Sequence, residues 1–196
     1  MRASSYLNKI EALPFAGLEM LGGGGMTVLA PHPDDEALGA GGLIAACLDA
    51  GVSVNVVVLT DGAGSHPHSR LYPRHRLIKL RREECRNGLI ALGLPPEEIS
   101  HLDQADTRAP TTGHQFNHVV AELEHAIERN ASTALVVTWD KDPHCDHFAA
   151  ARMAGEVNKS KPNLIVWHYP IWGWYLPGTK RIDRPGPEGF KFDITP

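Results

Sequence analysis

Two continuous runs of apolar and β-branched residues constrain the fold of this chain most strongly. One occupies residues 53–60 (Ser-Val-Asn-Val-Val-Val-Leu-Thr) and the other occupies residues 134–139. A strand with one solvated face alternates apolar and polar side chains, whereas a continuous run is typical of a strand covered on both faces. These runs therefore predict a sheet that is buried between two layers of helices.

Segments with helical patterns alternate with the strand-like runs. This alternation favours parallel strands joined by helical crossovers. The sequence thus predicts an α/β fold with a Rossmann-like, mostly parallel sheet and helices on both faces. The expected strands are 26–30, 53–60, 99–102, 134–139 and 164–168, and the expected helices are about 36–50, 75–92, 115–129 and 147–158.

The length of 196 residues suits a single domain that spans the whole chain. Four consecutive glycines close an N-terminal extension (residues 1–25), and such a run is typical of a flexible joint. A phosphate-binding loop would follow a strand, whereas this run precedes one. The tail at 170–196 is rich in Pro and Gly, which predicts irregular structure with one short strand at 189–194.

Composition and charge exclude several classes of protein. A net charge of -4 gives no reason to expect a nucleic-acid partner, and no apolar stretch approaches the ~20 residues that span a bilayer. The three cysteines lack CxxC spacing and are expected to be reduced thiols. Residues 1–20 lack the apolar core of a signal peptide. We expect a cytoplasmic protein without a membrane span, in an oligomeric state that the sequence leaves open.

Two clusters of His and Asp follow predicted strands. Residues 31–36 (Pro-His-Pro-Asp-Asp-Glu) follow the first strand, and residues 142–147 (Asp-Pro-His-Cys-Asp-His) follow the fourth. Ligands of open parallel sheets bind beyond the carboxyl ends of the strands. If these two strands are neighbours, His32, Asp35 and His147 can meet. Two imidazoles and one carboxylate with an open position form a pattern typical of hydrolytic zinc sites.

The adjacent carboxylates of Asp34 and Asp35 are expected to have different roles. Because consecutive side chains diverge, one can bind the ion while the other faces the bound water as a general base. In the alternative interpretation, one carboxylate caps the following helix, and His144 and His147 are surface residues at a helix start. The two clusters together favour a metal site, with Zn²⁺ as the expected ion and another divalent metal as the alternative.

The two motifs together resemble the LmbE-like, PIG-L family of zinc-dependent de-N-acetylases over residues 26–174. The resemblance implies that His32, Asp35 and His147 bind zinc and that Asp34 is the general base. It also implies a catalytic domain that removes an N-acyl group, expected to be acetyl, from a small amino-sugar substrate. The residues by themselves indicate only metal-assisted hydrolysis.

The second motif carries further implications and two departures from the family pattern. The resemblance implies that His144 stabilises the oxyanion and that Asp146 orients it, and a nearby carboxylate favours the imidazolium form. The family motif usually reads His-Pro-Asp-His, and Cys145 replaces the proline here. Some members have tyrosine where this chain has Asp142, which leaves the oxyanion arrangement open. Members often continue beyond the position of Pro196, so a truncated chain is a further expectation.

Two other features bear on the substrate. Arg81 matches the Arg-x-x-Glu pattern whose arginine contacts substrate in the family, and the alternative is an i, i+3 ion pair with Glu84. Trp172 and its aromatic neighbours either stack on a sugar ring or pack in the core. Two rival functions remain: a non-catalytic metal-binding module in which Cys145 completes a closed site, and a metal-dependent phosphoester hydrolase favoured by the basic residues of 70–82.

Overall fold

In the computed structural model, which describes residues 1–183 and 187–192, strands and helices alternate as the sequence predicts. The described residues form a five-stranded sheet in which every neighbouring pair is parallel. The predicted α/β fold is thereby confirmed. The strands are β1 (Gly25–Ala30), β2 (Val54–Thr60), β3 (Ile99–Gln104), β4 (Ser132–Thr138) and β5 (Ile165–Tyr169), and the helices are α1 (Ala3–Glu11), α2 (Asp35–Asp49), α3 (Arg74–Ala91), α4 (Gly113–Arg129) and α5 (Cys145–Ser160).

The strand order, β3-β2-β1-β4-β5, places the first and fourth strands side by side. The chain proceeds outward from β1 through β2 to β3, and then crosses to the other side of β1 to form β4. In the register of this pair, Leu29 lies opposite Val137, so the two strands end together. The reversal of strand order occurs between β1 and β4, which is where ligands bind in open parallel sheets.

Both faces of the sheet are covered, which explains the continuous apolar runs. On one face, strand residues such as Leu29 pack in a core with Leu123 of α4 and with α5. On the other face, residues such as Val28 pack in a second core with Ile44 of α2 and with α3. Every residue of β1 and β2 is buried. The layered arrangement holds the carboxyl ends of the strands as a rigid platform.

The N-terminal extension contains a helix that the sequence pattern did not predict. Helix α1 buries Tyr6, whose ring stacks on Trp139 with 5.2 Å between the ring centroids. The glycine run packs closely on β4, because the backbone N–H of Gly24 donates to Thr133 Oγ1 at 2.8 Å. A Cβ at Gly24 would lie 2.6 Å from Thr133 Cγ2, so this position needs glycine for close approach.

The C-terminal segment is mostly irregular within its described part. It contains a short 3-10 helix, Trp172–Tyr175, and isolated bridges that join Arg2 to Arg181 and Phe15 to Lys191. The predicted strand at 189–194 extends outside the described residues and forms a single bridge at Lys191. Among the described helices, none has the length and apolar character needed to cross a membrane.

Candidate active site

The turn after β1 joins His32 to Asp35. Helix α2 begins at Asp35, whose Oδ2 accepts a hydrogen bond from the backbone N–H of His32 and lies 3.0 Å from His32 Nδ1. Asp35 is buried, and burial opposes its ionisation. The contacts with the imidazoles of His147 and His32 nevertheless hold its pKa well below the ordinary value. The carboxylate is therefore ionised and directed at two imidazole rings.

Asp34 has a different environment from its neighbour. Its carboxylate is half-exposed and lies 2.9 Å from Arg81 Nη2, and Arg81 also donates to the backbone oxygen of Pro33. Its backbone has a φ of 142°, which is unfavourable for a residue with a Cβ. The backbone N–H of Asp34 donates to Glu36 Oε2 at 2.9 Å. Burial raises the pKa of the Asp34 carboxyl, although Arg81 opposes the shift.

The turn after β4 places His144 at the N-cap of α5. The backbone N–H of Asp146 donates to His144 Nδ1 at 3.3 Å, so a neutral ring carries its hydrogen on Nε2. Burial and the positive charges of His32 and His147 lower the pKa of His144. The structure thus favours a neutral imidazole, in contrast to the imidazolium that the sequence led us to expect.

His147 lies in the first turn of α5 and is completely buried. Its Nδ1 lies 2.9 Å from Asp142 Oδ2, which fixes the orientation of the ring. Its Nε2 lies 3.2 Å from Asp35 Oδ2, but in a geometry that makes no hydrogen bond. A buried ring nitrogen without a hydrogen bond, next to a carboxylate, suits a metal ligand. In the sequence, Asp142 was notable only because it stands where some related proteins have tyrosine, and its contact with His147 was not predicted.

The segment after β3 adds a carboxylate that the sequence analysis missed. Asp106 Oδ1 lies 3.4 Å from His32 Nε2, and Asp146 Oδ2 lies 3.1 Å from the same nitrogen. Asp146 also accepts a hydrogen bond from the backbone N–H of Thr107 at 2.7 Å. Its carboxylate therefore faces His32, and its predicted effect on His144 stays a prediction. Asp106 follows a strand, so a longer predicted β3 would have drawn attention to it.

The predicted metal ligands meet at Asp35, whose Oδ2 is within 3.2 Å of nitrogens of both His32 and His147. Burial alone would lower the pKa of His32, but hydrogen bonds to carboxylates raise it to about 11. A site that stabilises a proton so strongly also suits a metal cation. Among the described residues, two overlapping groups have possible ligand atoms within 4.8 Å of one another. The first group is His32, His144 and His147. The second group is His32, Asp106, His144 and Asp146.

Of the His and Asp side chains described above, His32, Asp34, Asp35, Asp106 and His144 line a cleft of about 210 Å³ at the carboxyl edge of the sheet. Because β2 and β5 lie on opposite sides of the β1–β4 pair, the residues that follow them form opposite sides of the cleft. Ser65 and Arg81 lie on the β2 side, and Ile171 and Trp172 lie on the β5 side. Arg81 thus lines the cleft and pairs with Asp34, and its contact with substrate stays a prediction.

A larger cavity of about 860 Å³ lies elsewhere, between β5, the start of α2, α1 and residues 187–192. Its lining is mainly apolar and includes Trp167 and Trp174. His32, Asp34, Asp35 and His144, which follow β1 and β4, line the smaller cleft. Chemistry rather than volume therefore identifies the smaller cleft as the candidate active site.

Residues 27–170 match the protein family described as PIG-L, GlcNAc-PI de-N-acetylase. The uncharacterized deacetylase YaiS of Escherichia coli (strain K12) is 28% identical over 159 residues, which cover 78% of this chain and 78% of YaiS. Diacetylchitobiose deacetylase of Thermococcus kodakarensis is 31% identical over 144 residues, which cover 69% of this chain and 52% of that protein. This chain thus spans about half the length of the Thermococcus enzyme.

The fold is shared with a solved deacetylase structure. N,N'-diacetylchitobiose deacetylase from Pyrococcus horikoshii, in complex with an inhibitor, has a TM-score of 0.63 and 26% sequence identity to this chain. The matched region covers 82% of this chain and 60% of the Pyrococcus chain.

Proposed function

The chain belongs to the PIG-L family of GlcNAc-PI de-N-acetylases, and we propose that it hydrolyses the N-acetyl group of an amino-sugar substrate with a divalent metal, expected to be zinc. The observation that carries this proposal is the meeting of His32, Asp35 and His147 at the β1–β4 switch point, beside the half-exposed Asp34. Two of the relatives are diacetylchitobiose deacetylases, which supports a sugar substrate.

His32, Asp35 and His147 would hold the metal. The buried Nε2 of His147, which makes no hydrogen bond, fits this role, as do the carboxylates around His32. Asp142 accepts from Nδ1 of His147 and so leaves Nε2 free to coordinate. When bound, a divalent metal supplies water of lowered pKa and polarises the acyl oxygen.

Asp34 is the proposed general base. It lines the cleft, and Arg81 holds its carboxylate at 2.9 Å, so its position is fixed before substrate binds. Asp34 takes a proton from the attacking water and returns it to the leaving amine. Burial raises the pKa of Asp34, which makes the carboxylate a better base than an exposed one. Arg81 positions the base and, through its place in the cleft, reaches the substrate.

His144 is the proposed partner of the oxyanion. With Nδ1 accepting from the Asp146 backbone, Nε2–H is the donor that remains for the developing charge. The charge of the Asp146 carboxylate raises the pKa of His144 and so opposes the lowering of that pKa by burial. Asp146 therefore assists His144 through its backbone, whose N–H fixes the tautomer that presents Nε2–H to the oxyanion.

The contacts in the site disfavour the two rival functions. Cys145 is exposed and directs its thiol to the backbone oxygen of Thr107 instead of completing a closed site. The phosphoester hydrolase was favoured by the basic residues of 70–82, which would attract an anionic substrate, and two of these residues already have carboxylate partners. Arg74 is paired with Asp61 and Arg81 with Asp34. The cytoplasmic location, the single catalytic domain and the lack of a nucleic-acid partner stay predictions.

Acetate release from a panel of N-acetylated amino sugars tests the proposal. Wild-type protein should release acetate, lose activity with a chelator and recover it with Zn²⁺. Asp34→Asn keeps the size of the side chain but removes the base, so we expect unchanged metal content and activity lower by roughly 10²–10⁴. Asp49→Asn, at the exposed end of α2, is the matched control and should be unaffected.

Two outcomes would contradict the assignment. If no N-acetylated sugar releases acetate, the proposed reaction is wrong. If Asp34→Asn loses the metal while Asp35→Asn retains it, the roles of the two carboxylates must be exchanged.

A further inference from the structure

Trp172 is a large aromatic residue with 50% of its surface exposed at the cleft. Single exposed apolar residues are common, so exposure alone indicates nothing. The position of Trp172 is more informative. It begins the short 3-10 helix after β5 and shares the cleft with Asp34 and His144, to which the proposed function assigns the reaction.

The backbone on both sides of Trp172 is held by one buried carboxylate. Asp142 Oδ2 accepts from the backbone N–H of Ile171 at 2.9 Å, and Oδ1 accepts from that of Gly173 at 2.6 Å. The same Oδ2 lies 2.9 Å from Nδ1 of His147. A Cβ at Gly173 would lie 2.9 Å from Asp142 Oδ1, so glycine permits this close contact. The backbone that carries Trp172 is therefore fixed relative to the proposed metal ligand.

The two sides of the cleft differ in polarity. On the β5 side, Trp172 and Ile171 line it together with the exposed Leu38 of α2, and all three are apolar. On the β2 and β3 side, Arg81 and Asp106 supply charged groups. A pyranose has the same asymmetry, since its ring has an apolar C–H face and a rim of hydroxyl groups.

We propose that Trp172 is the stacking platform for the sugar ring that carries the scissile N-acyl group, and that Asp142 holds this platform in register with His147. The ring lies with its C–H face on the indole and its hydroxyl groups toward Arg81 and Asp106. The cleft volume of about 210 Å³ is below the roughly 300–1,000 Å³ of sites for drug-sized ligands, which suits a single ring. This inference rests on the proposed function and specifies the substrate as a pyranose.

The test compares Trp172→Ala and Trp172→Phe with Trp174→Ala. Trp174 belongs to the same 3-10 helix and is 44% exposed, but it lines the larger cavity, which makes it a matched control. For each metal-loaded variant, kcat and KM are measured with N-acetylglucosamine, and binding of the product, glucosamine, is measured by calorimetric titration.

We expect Trp172→Ala to lower kcat/KM and weaken glucosamine binding roughly ten- to hundredfold, which is the scale of losing one apolar contact surface. The loss should be mainly in KM, with unchanged metal content. Trp172→Phe should recover most of the affinity, because it restores an aromatic face. Trp174→Ala should behave like wild type.

Other results would overturn the inference. Unchanged glucosamine binding in Trp172→Ala shows that no ring stacks there, and equal losses in Trp172→Ala and Trp174→Ala show a general effect on the segment. A wild-type enzyme that deacetylates no sugar overturns the proposed function instead, and the binding titrations still decide whether Trp172 contacts a sugar.

Discussion

Asp34 combines the proposed catalytic carboxylate with a backbone conformation that residues with a Cβ avoid. Its φ and ψ are 142° and -25°. A hydrogen bond from the backbone N–H of Asp34 to the Glu36 carboxylate and the start of α2 at Asp35 hold this conformation in the fold. We therefore predict that Asp34→Gly yields a more stable protein than Asp34→Ala. Both variants lose the carboxylate and its pairing with Arg81, so they differ only in the Cβ.

The magnitude follows from two opposing contributions. A residue in such a region costs about 1–3 kcal/mol, which glycine avoids. Glycine in turn loses about 0.5–1 kcal/mol relative to alanine, because its unfolded chain is more flexible. The net difference in the free energy of unfolding is about 0–2.5 kcal/mol in favour of Asp34→Gly. For a chain of this size, 1 kcal/mol corresponds to about 2–4 °C, so the Tm of Asp34→Gly should be higher by up to about 10 °C.

Thermal unfolding of the metal-free proteins, followed by circular dichroism, measures this difference without interference from metal occupancy. The control is Ala37→Gly, at an exposed position in the first turns of α2, which should destabilise the protein by about 0.5–1 kcal/mol. Acetate release should be abolished similarly in both Asp34 variants. If Asp34→Gly is less stable than Asp34→Ala, as at ordinary positions, Asp34 is not strained and the reasoning is refuted.

Three further predictions concern the metal and the oxyanion. Because carboxylates raise the pKa of His32 to about 11, its ring is protonated at pH 7 in the metal-free protein, and neighbouring carboxylates also raise the pKa of His147. Zn²⁺ binding should therefore release protons and tighten with rising pH, and calorimetry in buffers of different ionisation enthalpy should detect the release. Asp142→Asn should weaken Zn²⁺ binding roughly 10–100-fold in chelator competition, while Asp140→Asn in the same loop should not. His144→Ala should raise the barrier by ~2.7–4 kcal/mol with unchanged metal content, and near-normal turnover would exclude the oxyanion role.

The layered fold was predictable because its signal is local. The apolar runs at β2 and β4 reflect burial on both faces, and helical segments of suitable length separate them. Helix α1 was not predictable in the same way, since nine residues form a marginal helix alone. Its stability comes from contacts with residues distant in sequence. The Tyr6 ring stacks on Trp139, and the backbone N–H of Ala3 donates a hydrogen bond to the backbone oxygen of Lys180.

The candidate site was predictable in its composition but not in its connections. His32 and His147 could be grouped because both follow strands, and the structure places those strands side by side. The contacts of Asp142 and Asp106 depend on how the loops after β4 and β3 fold over the sheet. The spacing of residues in the sequence does not show the path of either loop. The protonation of His144 also depends on such detail, because a backbone N–H rather than a carboxylate contacts its Nδ1.

The buried acids of the site are stabilised by the fold itself. Asp35 accepts a backbone N–H from His32, and Glu36 accepts one from Asp34. Asp142 accepts N–H groups from the segment after β5, and Asp146 accepts them from the segment after β3. Such bonds hold the carboxylates in place without a metal. The site is therefore preformed, unlike that of a zinc finger, which is unfolded without its ion.

From this arrangement we predict that the metal-free protein stays folded. Chelator treatment should leave the far-UV circular dichroism spectrum and a cooperative melting transition intact. Added Zn²⁺ should then stabilise the folded state by about 2.7 kcal/mol at a free concentration of 100 times Kd. The increment should vanish in His32→Ala and His147→Ala, which should also lack bound zinc by elemental analysis. Unfolding on chelation would show that the ion, and not the backbone N–H groups, holds the acids together, and unchanged zinc in both variants would exclude the three-ligand site.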